Sequence, residues 1–418
     1  MMTVSVATIT KVSRSISPVQ TVAVFLDQRF HRTPDGQVWT DGAFTRKFFD
    51  RYLTVFDSVR VVARVRDVGA IEGDWKPASG ERVEFAPVPY YIGLFGYLKK
   101  RADVRRAIAA SIRPHDAVIL RVPGQVSTCA AAFLRRTGQP YAVEVVGDPF
   151  DVFAPGAVRH PLRPLFRHLF RYRLRKQVRD AAAASFVTAQ VLQERYPARP
   201  GAVATHYSSV ELPDEAFVDH PRPPGRSSGR WRLITVGSLE CLYKGPDVLL
   251  EAVARCVANG LDIEISFVGS GRCLPEMRNL AQRLGLSGRV RFLGQLAAGE
   301  AIRNELDRAE LFVLPSRAEG LPRAMIEAMA RAMPAIGSRV GGIPELLPDD
   351  ELVSPGDAES LSEKILEVLN DAQRLCEMSA RNWKRAAEYT DEALRERRTL
   401  FYSHLRNLTE GGLAESRA

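Results

Sequence analysis

The chain has 418 residues, of which 45% are hydrophobic and 26% charged, and its 58 Lys and Arg outnumber 49 Asp and Glu to give a net charge of +9. The length predicts two domains, and the basic surplus suits an anionic partner such as a nucleotide, a nucleic acid or an acidic membrane face. No window approaches about 20 apolar residues, which excludes a membrane-spanning helix. Five scattered cysteines without a C-x-x-C pair argue against a disulfide framework or structural zinc and favour a reducing cytoplasm.

The first half of the chain reads as one α/β domain. Residues 1–17 form a flexible head that lacks the uninterrupted apolar run of a signal peptide. Within 18–209, short apolar runs predict buried strands at 19–26, 59–65, 117–122, 141–146 and 185–188. Helical patterns between several of them cover 42–56, 96–112 and 127–136. This alternation predicts a parallel sheet covered on both faces.

The second half repeats the same architecture after a proline-rich linker at 210–230. Within 231–390, strands are predicted at 232–236, 263–268, 290–292, 311–314 and 335–336. Helices are predicted at 245–259, 275–284, 298–307, 321–332, 343–347 and 361–370. The segment 391–418 holds a long helix at 391–407 and a tail. Two Rossmann-like, doubly wound parallel-sheet domains therefore face a cleft, where the strands' carboxyl ends define the site.

A pair of carboxylates in the second half has a readable geometry. Glu319 stands in the loop after the 311–314 strand, and Glu327 lies about two turns inside the helix that starts near Pro322. Their separation is therefore about 10 Å, and the free amides of the helix start between them favour an anion. A sugar nucleotide has this layout of sugar hydroxyls, diphosphate and ribose hydroxyls. For an isolated E-x7-E spacing, a solvated loop glutamate and a surface helix glutamate would be the better interpretation.

The surrounding sequence reverses that judgement because it carries a family resemblance. The segment AEGLPRAMIEAMA, followed by PAIGSRVGGIPELL, resembles the retaining GT4-type (group 1) glycosyltransferases of the GT-B fold, close to bacterial exopolysaccharide and capsule enzymes. Two further segments agree in the family's order, VGSLECLYKGPDVLLEAVA and FVGSGRCLPEMRNLAQRLGLSGRVRFLGQL. The resemblance covers nearly the whole second domain.

The resemblance implies a role for each matching position. Glu319 would contact the donor sugar, Glu327 the ribose hydroxyls, and Lys244 the diphosphate as it leaves; a surface lysine in a turn is the alternative for Lys244. The segment of Gly320, Leu321, Pro322, Arg323 and Ala324 would supply backbone amides to the sugar and the diphosphate. GT-B enzymes generally need no metal, and the scattered histidines show no ligand spacing. We therefore assign neither a metal nor a cofactor.

Three donor-side positions carry weaker signals. Many relatives have arginine where this chain has Ser238, so one expected phosphate-binding cation is missing from its usual place. Gly269 and Gly271 follow the 263–268 strand where the family's loop approaches the nucleotide, although a tight turn alone would explain them.

The resemblance is thinner in the first half. Asp148 stands where many relatives place a histidine facing the donor sugar; it is a candidate catalytic contact, with an N-capping aspartate as the equal alternative. Arg121, at a strand end, would meet an acceptor phosphate or pair with a carboxylate across the sheet. Gly42 opens the first predicted long helix, where the family's first loop approaches the substrate. The last helix would cross back to the first domain.

Two basic segments, 97–113 and 159–180, mix cations with Leu, Phe and Tyr at helical spacing. They fit an anionic membrane surface or, equally, core-packing helices with a solvated basic face. The sequence thus predicts a cytoplasmic, peripheral enzyme that transfers a sugar from a nucleotide sugar to a lipid-linked saccharide and binds no nucleic acid. A sugar-nucleotide epimerase or phosphorylase of the same fold, and a non-catalytic scaffold of a polysaccharide assembly, are the alternatives.

Overall fold

The computed structural model describes residues 20–157, 160–210, 212–223 and 229–415. The predicted head, and parts of the predicted linker and tail, lie outside these residues. Among the described residues the chain forms two sheets, one of nine strands and one of six, with helices connecting the strands. The predicted α/β class with two parallel sheets is confirmed.

The first sheet is built from the first half of the chain. Its strands are β1 (Thr21–Arg32), β2 (Val38–Thr40), β3 (Ser58–Asp67), β4 (Lys76–Pro77), β5 (Val83–Pro89), β6 (Ala117–Val122), β7 (Ala142–Val145), β8 (Ala183–Phe186) and β9 (Val203–His206). Seven strands run parallel in the order β5-β3-β1-β6-β7-β8-β9. The other two strands are antiparallel to their neighbours: β2 pairs with β1, and β4 pairs with β2. Because helices cover the central strands, β6, β7 and β8 are buried along their whole length.

The helices of this half are α1 (Arg46–Phe49), α2 (Gly93–Ser111), α3 (Gln125–Thr137), α4 (Pro149–Val152), α5 (Arg163–Asp180) and α6 (Val191–Arg195). Helices α2 and α5 lie on either side of α3 and pack against it. Since each follows a parallel strand, their first turns lie at the carboxyl edge of the sheet. That edge faces the second half of the chain.

The second sheet has six parallel strands among the described residues, in the order β12-β11-β10-β13-β14-β15. They are β10 (Trp231–Val236), β11 (Ile263–Val268), β12 (Val290–Gly294), β13 (Leu311–Leu314), β14 (Ala335–Ser338) and β15 (Leu352–Val353). The helices are α7 (Pro246–Ala258), α8 (Leu274–Arg283), α9 (Glu300–Asp307), α10 (Arg323–Ala330), α11 (Ala358–Leu369), α12 (Ala372–Ala386) and α13 (Asp391–Glu415). Short 3-10 turns occur at Asp214–Ala216, Leu242–Lys244, Ile343–Glu345, Asp349–Glu351 and Ala387–Tyr389.

The last helix, α13, packs against β6, β8 and β9 of the first sheet. Its Tyr402 hydroxyl donates a 3.0 Å hydrogen bond to Glu144 of β7, and its Arg406 guanidinium donates one of 3.0 Å to the Val55 carbonyl. The chain's end therefore returns to the half from which it started. No helix of the described residues is long and apolar enough to cross a bilayer.

Several elements differ from the sequence-based expectation. Strands β2, β4, β9 and β15 and helix α12 were not predicted. The predicted helix at 42–56 is α-helical only over α1. The residues after α1 form turns whose backbone hydrogen bonds are mainly of the i→i+3 type. Phe49, Tyr52 and Phe56 are nevertheless buried, as their spacing predicts. The predicted helix at 343–347 is a single 3-10 turn. Strand β5 was not predicted because prolines interrupt it. It tolerates them as an edge strand that pairs only with β3.

Candidate active site

The loops that follow β10, β11 and β13 meet at the carboxyl edge of the second sheet, and they touch through backbone atoms. A Cβ on Gly269 would lie 2.0 Å from the Gly237 carbonyl oxygen, and one on Gly271 would lie 2.1 Å from the Glu240 amide nitrogen. Both residues also have positive φ angles, +134° and +156°. Only glycine allows this approach, so these two predicted positions shape the loop that borders the site.

Lys244 and Glu319, predicted from separate segments, form one ion pair. The Lys244 Nζ lies 2.6 Å from Glu319 Oε1, and the Ser316 hydroxyl donates to the same oxygen at 2.7 Å. The carboxylate is nearly buried, with 6% of the Glu319 side chain exposed against 21% of Lys244. A buried carboxylate held by an ammonium group and a hydroxyl gives this edge a fixed pattern of charge.

Arg317 and Asp247, which sequence reasoning did not single out, fix that pair in place. The Arg317 guanidinium binds both carboxylate oxygens of Asp247 at 2.7 Å. Its backbone amide donates to the Tyr243 carbonyl at 2.6 Å. The loop carrying Glu319 and the turn carrying Lys244 are therefore joined into one unit. The sequence did contain a signal for this second pair, because Arg317 lies two positions before Glu319 and Asp247 lies three positions after Lys244.

The start of α10 presents backbone N–H donors that no group among the described residues accepts from. Among the described residues, the backbone amides of Gly320, Leu321, Arg323 and Ala324 have no acceptor. Pro322 is the N-cap residue and supplies no side-chain hydrogen bond. Unpaired amides at a helix start favour an anionic ligand.

Glu327 lies inside α10 and is half-buried. Among the residues that the structure describes, its carboxylate has no hydrogen-bond or ion-pair partner. Burial raises the pKa of this carboxyl, and the guanidinium groups of Arg323 and Arg303 lower it only in part. A carboxylate with unused acceptor capacity, beside unpaired amides, is suited to binding a hydroxylated anionic molecule.

Ser238 takes part in a turn, since its hydroxyl accepts a 3.2 Å hydrogen bond from the Glu240 amide. A cation does reach this turn from the loop after β11: the Arg272 Nε lies 2.6 Å from the Glu240 carboxylate. Arg272 thus pairs with Glu240, two positions after Ser238, and its side chain is largely exposed.

The first-half candidates are placed differently from the donor-side ones. The Asp148 carboxylate is fully buried, caps α4 by accepting from the Phe150 amide at 2.8 Å, and bonds to Arg195 at 2.5 Å and to the Tyr196 hydroxyl. The structure therefore favours the N-cap alternative over a donor-sugar contact. Its acceptor capacity is used within the first domain.

Arg121 also fits its alternative interpretation, which was pairing with a carboxylate across the sheet. Its guanidinium pairs with the buried carboxylate of Glu144 on the neighbouring strand and is itself buried, so it is not placed to meet an acceptor phosphate. Gly42 lies in an exposed loop before α1, near the Gln28 side chain, and opens no long helix. Among the described residues, no three His, Cys, Asp or Glu side chains cluster in a way that could hold a metal ion.

The two halves of the chain touch at the site. A Cβ on Gly320 would lie 2.5 Å from the Val146 carbonyl oxygen at the end of β7. Glu345, which sequence reasoning missed, accepts backbone hydrogen bonds at 2.5, 2.9 and 2.8 Å from the amides of Ala189, Gln190 and Val191. One carboxylate from the second half thus caps a turn in the first.

Replacing Glu345 by alanine is expected to open the cleft, because three amides lose a charged acceptor at a cost of about 1–3 kcal/mol. Small-angle X-ray scattering should show a larger radius of gyration for Glu345→Ala than for wild type. Glu363→Ala, an exposed substitution on α11, is the matched control. Equal radii for all three proteins would show that Glu345 does not hold the halves together.

Known proteins resemble this chain in sequence and in fold. Residues 230–371 match the family model described as glycosyl transferases group 1. Protein CapJ of Staphylococcus aureus is 28% identical over 368 residues, which cover 87% of this chain and 91% of that protein. A GDP-mannose-dependent phosphatidylinositol monomannoside mannosyltransferase of Corynebacterium glutamicum is 36% identical over 166 residues, 37% of this chain and 43% of that protein.

Solved structures share the fold at low sequence identity. Sucrose-phosphate synthase from Thermosynechococcus elongatus superposes with a TM-score of 0.70 at 18% identity, covering 92% of this chain and 99% of that one. Anabaena HepE, solved with UDP and glucose, gives 0.61 at 16% identity over 94% and 99%. The second half of the chain therefore matches the group 1 (GT4-type) glycosyltransferases, and the chain shares the GT-B fold of solved glycosyltransferases.

Proposed function

We propose that the protein is a retaining hexosyltransferase that moves a sugar from a nucleoside-diphosphate sugar to a hydroxyl of a lipid-linked saccharide, at the cytoplasmic face of the membrane and in the synthesis of a cell-surface polysaccharide. The observation that carries the donor half is the grouping of the Lys244–Glu319 pair with the amides at the start of α10 and the Glu327 carboxylate. These amides and this carboxylate have no partner among the described residues. Cations and amides suit a diphosphate, and carboxylates suit hydroxyls.

In the proposed reaction the bond between the anomeric carbon and the diphosphate oxygen breaks first, and its electron pair stays on that oxygen. Lys244 and the α10 amides stabilise the charge that develops there. The acceptor hydroxyl oxygen then bonds to the anomeric carbon from the same face, and its proton passes to the leaving phosphate oxygen. The configuration is thereby retained, and neither a metal nor a cofactor takes part.

The descriptions of similar solved structures support both the donor and the product in this proposal. Anabaena HepE was solved with UDP-glucose as well as with UDP and glucose, which supports a nucleotide-sugar donor here. The solved glycosyltransferase WaaG, with a TM-score of 0.62 at 17% identity, is described as involved in lipopolysaccharide biosynthesis. That description supports a cell-surface glycan product. An epimerase would instead convert its sugar nucleotide without an acceptor, which chromatography of the donor incubated alone would reveal.

Donor affinity should depend on pH through Glu327. Only its ionised form accepts hydrogen bonds through both oxygens, and burial raises its pKa. We therefore expect donor affinity to fall as the pH is lowered through that raised pKa. In Glu327→Gln, affinity should be about 10- to 100-fold weaker at neutral pH, since hydrogen bonds to charged groups contribute about 1.5–3 kcal/mol, and its pH profile should be flat.

Calorimetric titration of the donor at several pH values, with Glu363→Gln as the exposed control, measures both effects. If wild type and Glu327→Gln gave the same affinity and the same profile, Glu327 would not bind the donor.

A further inference from the structure

The start of α2 exposes more apolar surface than folding requires. Ile92, Leu94, Phe95 and Leu98, called the apolar tip below, are all more than half exposed, and Phe95 is 82% exposed. They fall within seven consecutive residues. Folded proteins rarely display such a cluster without a binding role.

Packing of α2 does not depend on the apolar tip. The helix is held to its domain by Val104 and Ile108, which are buried, and by Tyr97, whose ring lies 5.5 Å from that of Tyr91. The Tyr97 hydroxyl is also 3.4 Å from the Cys129 thiol on α3. The apolar tip therefore points away from the contacts that anchor the helix.

The same helix carries a concentrated positive charge. Its exposed cations, called the basic face below, are Lys99, Arg101, Arg105 and Arg106, while the Lys100 ammonium donates a 2.8 Å hydrogen bond to the Tyr90 carbonyl. The helix has one acidic residue, Asp103, which lies 3.4 Å from Arg106. An exposed apolar cluster directly followed by cations complements a surface that is apolar beneath an anionic layer.

The apolar tip lies at the same edge of the first sheet as the cleft entrance. Strand β5 ends at Pro89, so the first turn of α2 lies at the carboxyl edge of the first sheet. At that edge Val146 meets Gly320 of the donor half. Leu162 and Leu165, at the start of α5, are also more than half exposed at this edge. Contact through the apolar tip would turn the cleft entrance toward the contacted surface.

We propose that the apolar tip inserts among the headgroups of an anionic lipid bilayer while the basic face contacts lipid phosphates. This docking presents the cleft to an acceptor that stays in the membrane. The role given to docking rests on the proposed transfer to a lipid-linked saccharide, but the binding itself does not.

Co-sedimentation of the full-length protein with vesicles tests the proposal at physiological ionic strength. Vesicles of phosphatidylcholine with phosphatidylglycerol should bind wild type at least about 10-fold more tightly than pure phosphatidylcholine, because an anionic surface attracts the cations of the basic face. The double variant Phe95→Ser/Leu98→Ser should lose about 10-fold or more of that affinity, as expected when two apolar side chains no longer enter the bilayer. Lys99→Glu/Arg101→Glu should lose a similar amount, and only with the anionic vesicles.

The matched control is Leu400→Ser on α13, where an apolar side chain is 66% exposed on a different element; it should bind like wild type. The rise in melting temperature on adding a nucleotide sugar should be the same in all these variants, so a failure of donor binding is separated from a failure of docking. Absence of wild-type binding to anionic vesicles, as expected if a protein covers the apolar tip instead, overturns the proposal. So does equal binding by wild type and the Phe95→Ser/Leu98→Ser variant.

Discussion

Replacing Lys244 by alanine is expected to lower kcat for sugar transfer by about 10²- to 10³-fold, the loss seen when one preorganised charge-stabilising donor is removed. The reason is that the Lys244 ammonium, held 2.6 Å from Glu319, is the cation that our proposal assigns to the leaving diphosphate. Release of the nucleoside diphosphate in the presence of acceptor, measured by a coupled assay, gives kcat directly.

The chain offers a close control for this substitution. Lys364 also forms an ion pair, 2.5 Å from Glu367, and its side chain is as exposed as that of Lys244, 20% against 21%. Lys364→Ala should leave kcat unchanged because its pair lies on α11, outside the site. Lys244→Arg keeps the charge and should recover part of the rate. An alanine variant that transferred sugar at the wild-type rate would remove Lys244 from the mechanism.

The largest effect on stability is expected at Glu144. Its buried carboxylate pairs with Arg121 and accepts hydrogen bonds at 3.0, 2.9 and 3.0 Å from the hydroxyls of Tyr52, Tyr207 and Tyr402. Alanine at this position would leave a buried guanidinium and three hydroxyls without their acceptor, which should cost about 3–5 kcal/mol of unfolding free energy. Because Tyr402 belongs to α13, the last helix should also detach more readily.

Urea unfolding measures the loss of stability, and hydrogen exchange of α13 peptides measures the detachment. Glu84→Ala is the control, since Glu84 also pairs with an arginine, at 2.8 Å from Arg60, but its side chain is 61% exposed. That variant should lose less than about 1 kcal/mol. Unchanged exchange in α13 on replacing Glu144 would mean that the buried cluster does not hold the helix.

The same cluster predicts how stability depends on pH. Burial acts to raise the pKa of Glu144, but Arg121, Arg51 and the tyrosine hydroxyls outweigh it, so the pKa lies below its ordinary value. The stabilisation is therefore fully present above the ordinary glutamate range and is lost as the pH falls through the lowered pKa. Urea midpoints between neutral and acid pH should fall more steeply for wild type than for Glu144→Gln.

The positions of the donor-half residues in the fold could be predicted because the signals that place them are local. The strand at Leu311–Leu314, the loop and the helix start are adjacent in sequence, so the place of Glu319 and Glu327 follows from residue spacing alone. The glycines Gly269 and Gly271 also indicate a local constraint, because the neighbouring backbone approaches them too closely for any side chain. What spacing could not reveal is that Lys244, 75 positions from Glu319, bonds to it directly.

The first half was harder because its strand ends carry polar residues with distant partners. Arg121 and Asp148 both stand at or just after strand ends, where either a substrate or a buried partner would explain them. The choice is decided by Glu144 and by Arg195 and Tyr196, and the hydroxyl that completes the Glu144 cluster is 258 positions away on α13. No local pattern encodes such a contact.

The proposed donor site requires that a nucleotide sugar bind between the Lys244–Glu319 ion pair and Glu327. Melting temperatures in the presence of UDP-, GDP- and ADP-sugars test it most directly, since a ligand at 100 times its Kd adds about 2.7 kcal/mol to the folded state. We predict that at least one of these sugars raises the melting temperature of wild type and of Lys364→Ala, and raises that of Glu327→Ala much less. If no sugar nucleotide raised it, or if one raised it equally in all three proteins, the donor site would not be where we place it.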